Sequence, residues 1–255
     1  MSISLCLGGG GARGAFELGV LQYIDEKNIK ISNISGSSIG SVIACSYSSG
    51  VSPKKILEIF KTKEIKNTIK FNFSNLLSMG IFNIDENNTI INELFPIKNI
   101  EDINKNVYVC VYDIKAKKIE YLNSGRVLDA CLSSCALTPI FKAKKHDDKL
   151  YIDGGLKDSL PITPLLKYDE KILSIDLFPK NVTTKKRSFN PIKILKRKVL
   201  SELIKNHNFS ISKSDFYLTN QNLRRKKILS FDKLDENFNL GYETAKEFFK
   251  NQKLE

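Results

Sequence analysis

Short apolar runs alternate with segments of helical hydrophobic period along the first 60 residues of the chain. The elements predicted here are a strand at 3–7, a helix from Ala15 to about Asn28, a strand at 31–35, a buried helix at 41–49 and an amphipathic helix that Ser52 caps, Pro53 begins and Phe60 ends. In the first helix, Phe16, Val20 and Ile24 share one face, which is typical of a helix packed on a sheet.

The remaining chain continues this alternation after a weakly periodic, Asn-rich stretch at 71–101. Predicted elements are a hairpin of strands at 107–114 and 118–122, a helix at 127–137, strands at 150–152 and 172–178, a helical stripe of Ile192, Leu195, Val199 and Leu203, strands at 216–218 and 228–231, and a last helix from about Gly241. Strands alternating with helices, without an internal repeat or a long linker, predict one α/β domain over residues 1–255 with a mostly parallel sheet.

Composition narrows the kinds of site that this chain can hold. Hydrophobic residues make up 42% of the 255 residues, which is enough for a sizeable core. The five cysteines are Cys6, Cys45, Cys110, Cys131 and Cys135, all in apolar runs and without a CxxC pair. With only two histidines in addition, we expect no metal site. Reduced, buried thiols indicate a cytoplasmic protein, and we expect neither a secretory leader nor a membrane span.

A glycine-rich loop follows the first predicted strand. Gly9-x-Gly11-x-x-Gly14 matches the dinucleotide-binding fingerprint. That function requires a carboxylate at the end of the next strand, about 20 residues on, and this chain has Ser35-Gly36-Ser37-Ser38 there. A P-loop would need Gly-Lys-Ser or Gly-Lys-Thr, which the loop lacks. Nucleotide binding is therefore the weaker hypothesis.

The second strand explains the glycine-rich loop better. Gly36-x-Ser38-x-Gly40, between a strand and a buried helix, has the pattern of a nucleophile elbow, in which glycines allow a tight turn. The serine would stand at the top of the sheet, and the amide of Ile39 would face a developing oxyanion. The amides of Gly9, Gly10 and Gly11 would supply the other oxyanion donors. Both loops would then serve a single acyl-transfer site.

A serine nucleophile needs a base, and the best candidate is Asp153. This carboxylate ends an apolar strand, and Gly154 and Gly155 let the backbone turn closely around it. Partial desolvation and a hydrogen bond to the serine hydroxyl would make it a competent base. His146 and His207 lie in polar or basic surroundings, and we expect both to be surface residues. The alternative for Asp153 is a simple turn-forming Asp-Gly pair.

At this point the sequence resembles the patatin-like phospholipases, which combine a GGGxRG loop, a GxSxG elbow and a DGG or DGA motif into a Ser–Asp dyad. The matching segments are Gly9 to Gly14, Gly36 to Gly40 and Asp153 to Gly155, supported by Gly80-Ile81-Phe82-Asn83, Val111-Tyr112-Asp113-Ile114, Ser133-Ser134-Cys135-Ala136-Leu137 and Leu156 to Pro161. The resemblance covers about residues 3–179, and the basic part from Lys180 onward has no match.

The resemblance implies a three-layer α/β/α sandwich and a lipid acyl hydrolase of phospholipase A or lysophospholipase type. Ser38 would attack a fatty acyl ester, Asp153 would be the base, and Arg13 would orient the oxyanion loop or contact a phosphate. No metal or organic cofactor is implied. Alternatives that stay open are a carboxylesterase acting on short soluble esters and a non-catalytic lipid-binding protein of the same fold.

Two departures from the family pattern concern the substrate pocket. Leu132 stands where many members carry an arginine, and Thr138-Pro139 replaces the usual Pro-Gly. Both leave the dyad intact.

Positive charge dominates the chain, with 40 Lys and Arg against 28 Asp and Glu and a net charge of +12. Basic segments at 185–187, 193–198 and 224–227 could face an anionic membrane, where each cation contributes about 1 kcal/mol. The alternative is that the stripe from Ile192 to Leu203 packs on the sheet while the charges are solvated. We expect no nucleic-acid partner, because no aromatic platform accompanies the charges.

Overall fold

The structure of the protein is a computed structural model that describes residues 2–62, 89–137, 143–146, 148–179 and 207–252. In these ranges, eight strands form one sheet in the order β5-β6-β3-β2-β1-β7-β8, and β4 also pairs with β3. The strands are β1 (Ser2–Leu7), β2 (Lys30–Ser37), β3 (Asn106–Asp113), β4 (Lys118–Leu122), β5 (Lys144–His146), β6 (Lys149–Asp153), β7 (Lys171–Ile175) and β8 (Phe216–Leu218). The five strands β1, β2, β3, β7 and β8 are parallel neighbours, whereas β4, β5 and β6 pair antiparallel.

Helices connect these strands. They are α1 (Ala15–Glu26), α2 (Ile39–Ser48), α3 (Pro53–Lys61), α4 (Thr89–Leu94), α5 (Val127–Ser134), α6 (His207–Lys213) and α7 (Leu234–Gln252). The start of α3 follows the predicted cap, since the Ser52 hydroxyl accepts a hydrogen bond from the Lys55 amide. The last helix packs on the first, where the Tyr23 ring lies 5.7 Å from the rings of both Tyr242 and Phe249.

Both faces of the sheet are covered. In β1, Ile3, Leu5 and Leu7 belong to a large core shared with α1, α2, α3 and α7. Cys6 points to the opposite face and joins a smaller cluster with Leu160, which follows the DGG motif. Because β1 is buried on both sides, it reads in sequence as a continuous apolar run. The described residues thus form an α/β fold with a mostly parallel central sheet, and this prediction is confirmed.

Several predicted elements differ in the structure. The strand predicted at 228–231 is wrong, because the Ile228 carbonyl accepts a hydrogen bond from the Ala12 amide instead of entering the sheet. The helix predicted at 127–137 ends at Ser134, and the last helix begins at Leu234, before Gly241. Strand β5 was not predicted. The segment Gly80 to Asn83, Thr138-Pro139 and the stripe from Ile192 to Leu203 lie outside the described residues.

The cysteines are free, with four buried and Cys135 partly exposed. Among the residues that the structure describes, every helix is too short or too polar to cross a bilayer.

Candidate active site

The connection between β2 and α2 holds Ser38 in a strained backbone conformation. Strand β2 ends at Ser37 and helix α2 begins at Ile39, with Ser38 between them at φ 52° and ψ −123°. A side-chain-bearing residue with positive φ carries a steric cost of about 1–2 kcal/mol. Such a turn from strand to helix lifts the serine hydroxyl above the sheet, which is the geometry of a nucleophile elbow.

Close backbone approach explains the glycine at position 40. A Cβ there would lie 2.7 Å from the Leu7 carbonyl oxygen and 2.8 Å from that of Gly8. The N-terminus of α2 therefore touches the end of β1, where the glycine-rich loop begins. A side chain at this position would push the elbow away from the loop that is predicted to hold the oxyanion.

Ser134 fixes the elbow from the other side. Its hydroxyl accepts a hydrogen bond from the Ser38 amide at 2.9 Å and donates one to the Cys110 carbonyl at 2.7 Å. The C-terminal end of α5 is thereby connected to both β2 and β3. Ser134 belongs to the segment Ser133 to Leu137 that resembles a family motif, and this motif is the sequence signal for its position beside Ser38.

Asp153 reaches the same end of the sheet through an antiparallel strand. Parallel β2 pairs its last residue, Ser37, with Cys110 of β3. Antiparallel β6 pairs its last residue, Asp153, with the next residue of β3, Val111. The ends of β2 and β6 therefore meet at adjacent positions of one strand, and this register brings Asp153 to Ser38.

The Asp153 carboxyl group is almost completely buried, with 1% of the residue exposed. Burial raises the pKa of Asp153 from 3.8 to about 7, while hydrogen bonds from the Gly155 amide and from Ser38 act in the opposite direction. The Gly155 amide donates to Oδ1 at 2.8 Å. A carboxyl group that ionises near neutral pH and shares a hydrogen bond with a serine is well suited to general-base catalysis.

Cys135 also faces this pair of residues. Burial raises the pKa of its thiol, and the nearby Asp153 raises it further. The thiol is therefore a neutral neighbour of the Ser38 hydroxyl.

The glycine-rich loop lies directly beside the serine, since a Cβ on Gly9 would be 3.4 Å from the Ser38 Cβ. The Gly9 amide, however, donates to the Ser159 carbonyl at 2.9 Å, so the prediction of Gly9 as an oxyanion donor does not fit this geometry. Within the described part of the chain, the amides of Gly10 and Gly11 have no acceptor. The Ile39 amide is in the first turn of α2, where helices leave N–H groups unpaired.

Arg13 lies behind this loop and is buried. Its Nε donates to the Lys226 carbonyl at 3.0 Å, its Nη1 donates to the Leu177 carbonyl at 2.9 Å, and its guanidinium lies 5.2 Å from the centre of the Phe178 ring. Burial lowers the pKa of Arg13 to about 10, so the group stays charged at neutral pH. Of the two predicted roles, these contacts favour orienting the loop.

A family model described as patatin-like phospholipase matches residues 5–166, more than half of the chain. The chain belongs to this family. Among its relatives, the patatin-like phospholipase domain-containing protein ZK370.4 of Caenorhabditis elegans is 29% identical over 167 residues, covering 63% of this chain and 12% of that protein. The neuropathy target esterase sws of Drosophila persimilis is 32% identical over 169 residues, again 63% of this chain and 12% of the relative. This patatin-like chain thus spans a small part of the length of these relatives.

Two solved structures share the fold. VipD from Legionella pneumophila aligns with a TM-score of 0.52 at 15% identity, over 98% of this chain and 67% of its own. The type III effector protein ExoU aligns with a TM-score of 0.52 at 14% identity, over 100% of this chain and 54% of its own. These likenesses confirm the patatin-like fold.

The histidine predictions need a correction in this patatin-like protein. His207 is buried, with 4% of the residue exposed, so its prediction as a surface residue is wrong. Its Nε2 lies 3.0 Å from the Ser159 hydroxyl and 3.4 Å from Asp176 Oδ1. In a Ser–His–Asp triad the serine and the acid use opposite ring nitrogens, whereas both partners here approach Nε2. The Ser159 carbonyl also accepts the hydrogen bond from the Gly9 amide, so His207 contacts the glycine-rich loop indirectly, through Ser159. The other histidine, His146, is the last residue of β5.

No group of three or more His, Cys, Asp or Glu side chains converges to hold a metal ion within the described ranges.

Proposed function

We propose that this protein is a lipid acyl hydrolase in which Ser38 is the nucleophile and Asp153 is the general base. The observation that carries the proposal is the meeting of two strand ends on β3, which unites a strained serine with a buried carboxyl group of raised pKa. A turn-forming Asp-Gly pair would need neither the burial nor the hydrogen bond to Ser38.

The reaction follows from these positions. Asp153 accepts the hydroxyl proton as Ser38 Oγ forms a bond to the ester carbonyl carbon, and the carbonyl oxygen becomes an oxyanion. The amides of Gly10, Gly11 and Ile39 stabilise that charge. When the intermediate collapses, the C–O bond to the alcohol breaks and Asp153 returns the proton to the leaving oxygen. In the second half of the reaction, Asp153 accepts a proton from water as the water oxygen forms a bond to the acyl carbon. The bond from that carbon to Ser38 Oγ then breaks, Asp153 returns the proton to Oγ, and the fatty acid leaves.

Membership of the patatin-like phospholipase family favours fatty acyl esters as the substrate class. Relatives carry names such as lysophospholipase and neuropathy target esterase, and the chain's own serine and carboxylate suit ester cleavage. We propose a phospholipid or lysophospholipid substrate, with short soluble esters as the competing class. The non-catalytic alternative is disfavoured, because a strained nucleophile would have no use in a binding protein.

The test is labelling and hydrolysis by a Ser38→Ala variant. We expect it to fold, to lose labelling by a fluorophosphonate probe and to lose hydrolysis of lysophospholipid, phospholipid and short p-nitrophenyl esters. Ser46→Ala is a matched control, since Ser46 is a buried serine of α2 whose hydroxyl has no partner in the described residues. Labelling of the Ser38→Ala variant at the wild-type rate would refute the proposal. Relative rates of the wild type on the three substrates identify the class.

We also propose that the protein works in the cytoplasm as one domain over 1–255 and contacts anionic membranes peripherally. The membrane contact is supported by one surface segment. Arg224, Arg225 and Lys227 are exposed there, and the neighbouring Leu229 is 37% exposed. Basic side chains are attracted to anionic lipid head groups, and an exposed apolar side chain next to them can insert between the lipids. Both effects favour binding to the membrane surface. The segments 185–187 and 193–198 lie outside the described residues.

Co-sedimentation with vesicles tests the membrane contact. Leu229→Ser should weaken binding to anionic vesicles, whereas Leu166→Ser, which changes another exposed leucine away from the basic segment, should not. Binding should also weaken as salt is added. Equal effects of the two substitutions, or equal binding to neutral vesicles, would contradict the proposed surface.

A further inference from the structure

A basic cleft of about 470 Å³ lies between the segment after β8 and the beginning of α7. Its charged lining consists of Arg225, Lys226, Lys227, Lys233 and Glu236, which is four cations and one carboxylate, an excess of three positive charges. The volume is within the range of roughly 300–1,000 Å³ that is typical of small-molecule sites. Asp232 is exposed and close to the cleft in sequence. If its negative charge is added to that of Glu236, the cleft still has two more positive than negative charges.

The single lining carboxylate is shared by two lysines. Glu236 lies 2.6 Å from Lys226 Nζ and 2.9 Å from Lys233 Nζ. Arg225 and Lys227 line the same cleft and form no ion pair within the described residues. Their charges would be balanced by an anion in the cleft, and guanidinium and ammonium groups together are the usual ligands of phosphate.

Three hydrogen bonds join the wall of the cleft to the oxyanion loop, one between backbone groups and two from side chains to backbone carbonyls. The Lys226 carbonyl accepts from Arg13 Nε at 3.0 Å, and the Ile228 carbonyl accepts from the Ala12 amide at 2.6 Å. Asn237, which lines the cleft and is 1% exposed, donates from Nδ2 to the Ala12 carbonyl at 3.1 Å. All three hydrogen bonds end on the two residues that follow Gly11.

Gly11 itself fits closely against this wall. It has a φ of +57°, and a Cβ on it would lie 2.3 Å from the Ile228 carbonyl oxygen. A displacement of residues 226–228 would therefore move the peptide groups of Gly10 and Gly11, whose amides have no acceptor within the described residues.

We propose that the cleft binds a phosphate group and that the bound anion holds the oxyanion loop in its working geometry. The ligand chemistry is that of a phosphate monoester or inorganic phosphate, with charge to match the unpaired Arg225 and Lys227. The binding half of the proposal is independent of catalysis, and the coupling to turnover rests on the proposed hydrolase function.

Binding is measured by calorimetric titration of inorganic phosphate into the Ser38→Ala protein, so that loss of the proposed activity does not affect the result. We expect saturable binding that the double variant Arg225→Gln and Lys227→Gln weakens by about tenfold or more. The matched control removes two exposed lysines elsewhere, Lys213→Gln and Lys250→Gln, and should change the affinity by less than about twofold. Absence of saturable binding, or equal weakening by the two double variants, overturns the site.

Vesicles distinguish a lipid head group from a free anion. Vesicles of phosphatidylcholine with phosphatidic acid should bind the Ser38→Ala protein, and inorganic phosphate should displace it if the lipid phosphate occupies the cleft. Saturable binding of phosphate together with vesicle binding that phosphate does not displace identifies the soluble anion as the ligand.

The coupling between phosphate binding in the cleft and the oxyanion loop is measured by hydrogen–deuterium exchange and by the rate of turnover. Phosphate should slow exchange in a peptide covering residues 8–16 and increase kcat for a soluble ester several-fold, and the Arg225 and Lys227 double variant should lose both effects. Slowed exchange without a change in kcat in an active enzyme overturns the link to turnover. Unchanged exchange at saturating phosphate overturns the coupling itself.

Discussion

The protonation state of Asp153 is expected to set how both activity and stability depend on pH. Burial raises its pKa to about 7, and a general base acts only in its ionised form. For a soluble ester, kcat/KM should rise with pH to a plateau, with a midpoint near 7 and a fall of about tenfold per pH unit below it. Asp153→Asn should lose about 10²- to 10⁴-fold in turnover at the plateau.

The same carboxyl group should lower the stability of the folded protein as the pH rises. Between pH 3.8 and about 7 the unfolded chain has released this proton while the folded protein keeps it, so the free energy of unfolding decreases across this window and is level above it. At 1.36 kcal/mol per pH unit, the window corresponds to about 4 kcal/mol. An asparagine at this position has no such dependence.

Urea denaturation of the wild type and of Asp153→Asn across this pH range measures the effect. The variant should gain about 4 kcal/mol relative to the wild type between pH 4 and pH 8. Asp169→Asn, which removes an exposed carboxylate, should show little of this gain. A difference that stays level across the window would refute the argument that burial raises the pKa of Asp153.

An imidazole base would give a similar midpoint, so the activity profile needs a second measurement. The pKa of a carboxyl group changes little with temperature, whereas that of imidazole falls on heating. A midpoint that decreases with temperature, together with an inactive but folded His207→Gln variant, would replace the proposed dyad by a histidine mechanism.

Three further predictions concern the elbow. Ser38→Gly should be more stable than Ser38→Ala by about 1 kcal/mol in urea denaturation, because glycine adopts a φ of 52° without the steric cost, and equal stabilities would contradict the strain. Gly40→Ala should lower the free energy of unfolding by about 1–3 kcal/mol and abolish hydrolysis, since its Cβ would be 2.7 Å from the Leu7 carbonyl oxygen; an active, stable variant would show that the elbow can move. Ser134→Ala should cost about 1–3 kcal/mol by leaving the Ser38 amide unpaired, and should lower kcat more than it changes KM; a larger effect on KM would contradict a positioning role.

Local patterns were sufficient to predict the turn that holds Ser38 and several elements around it. The apolar run of β1, the Gly-x-Ser-x-Gly turn and the cap at Ser52 each depend on residues within a few positions of one another. The hairpin of β3 and β4 was predicted for the same reason, and its pairing of Val109 with Leu122 follows from a short turn. Where a segment's partner is distant, as for Ile228 against Ala12, the hydrophobic pattern predicted the wrong element.

The sequence by itself determined the α/β class, most of the elements in their order and the candidates Ser38 and Asp153, because the motifs keep the required residue types next to strand ends. It missed β5 and predicted a strand at 228–231 that the structure lacks. Only the tertiary structure decided how the candidates meet. The antiparallel register of β6 on β3, the use of the Gly9 amide by Ser159 and the burial of His207 all depend on contacts between segments far apart in the chain. Such contacts are selected by the packing of whole layers, and neither residue type nor spacing encodes them locally.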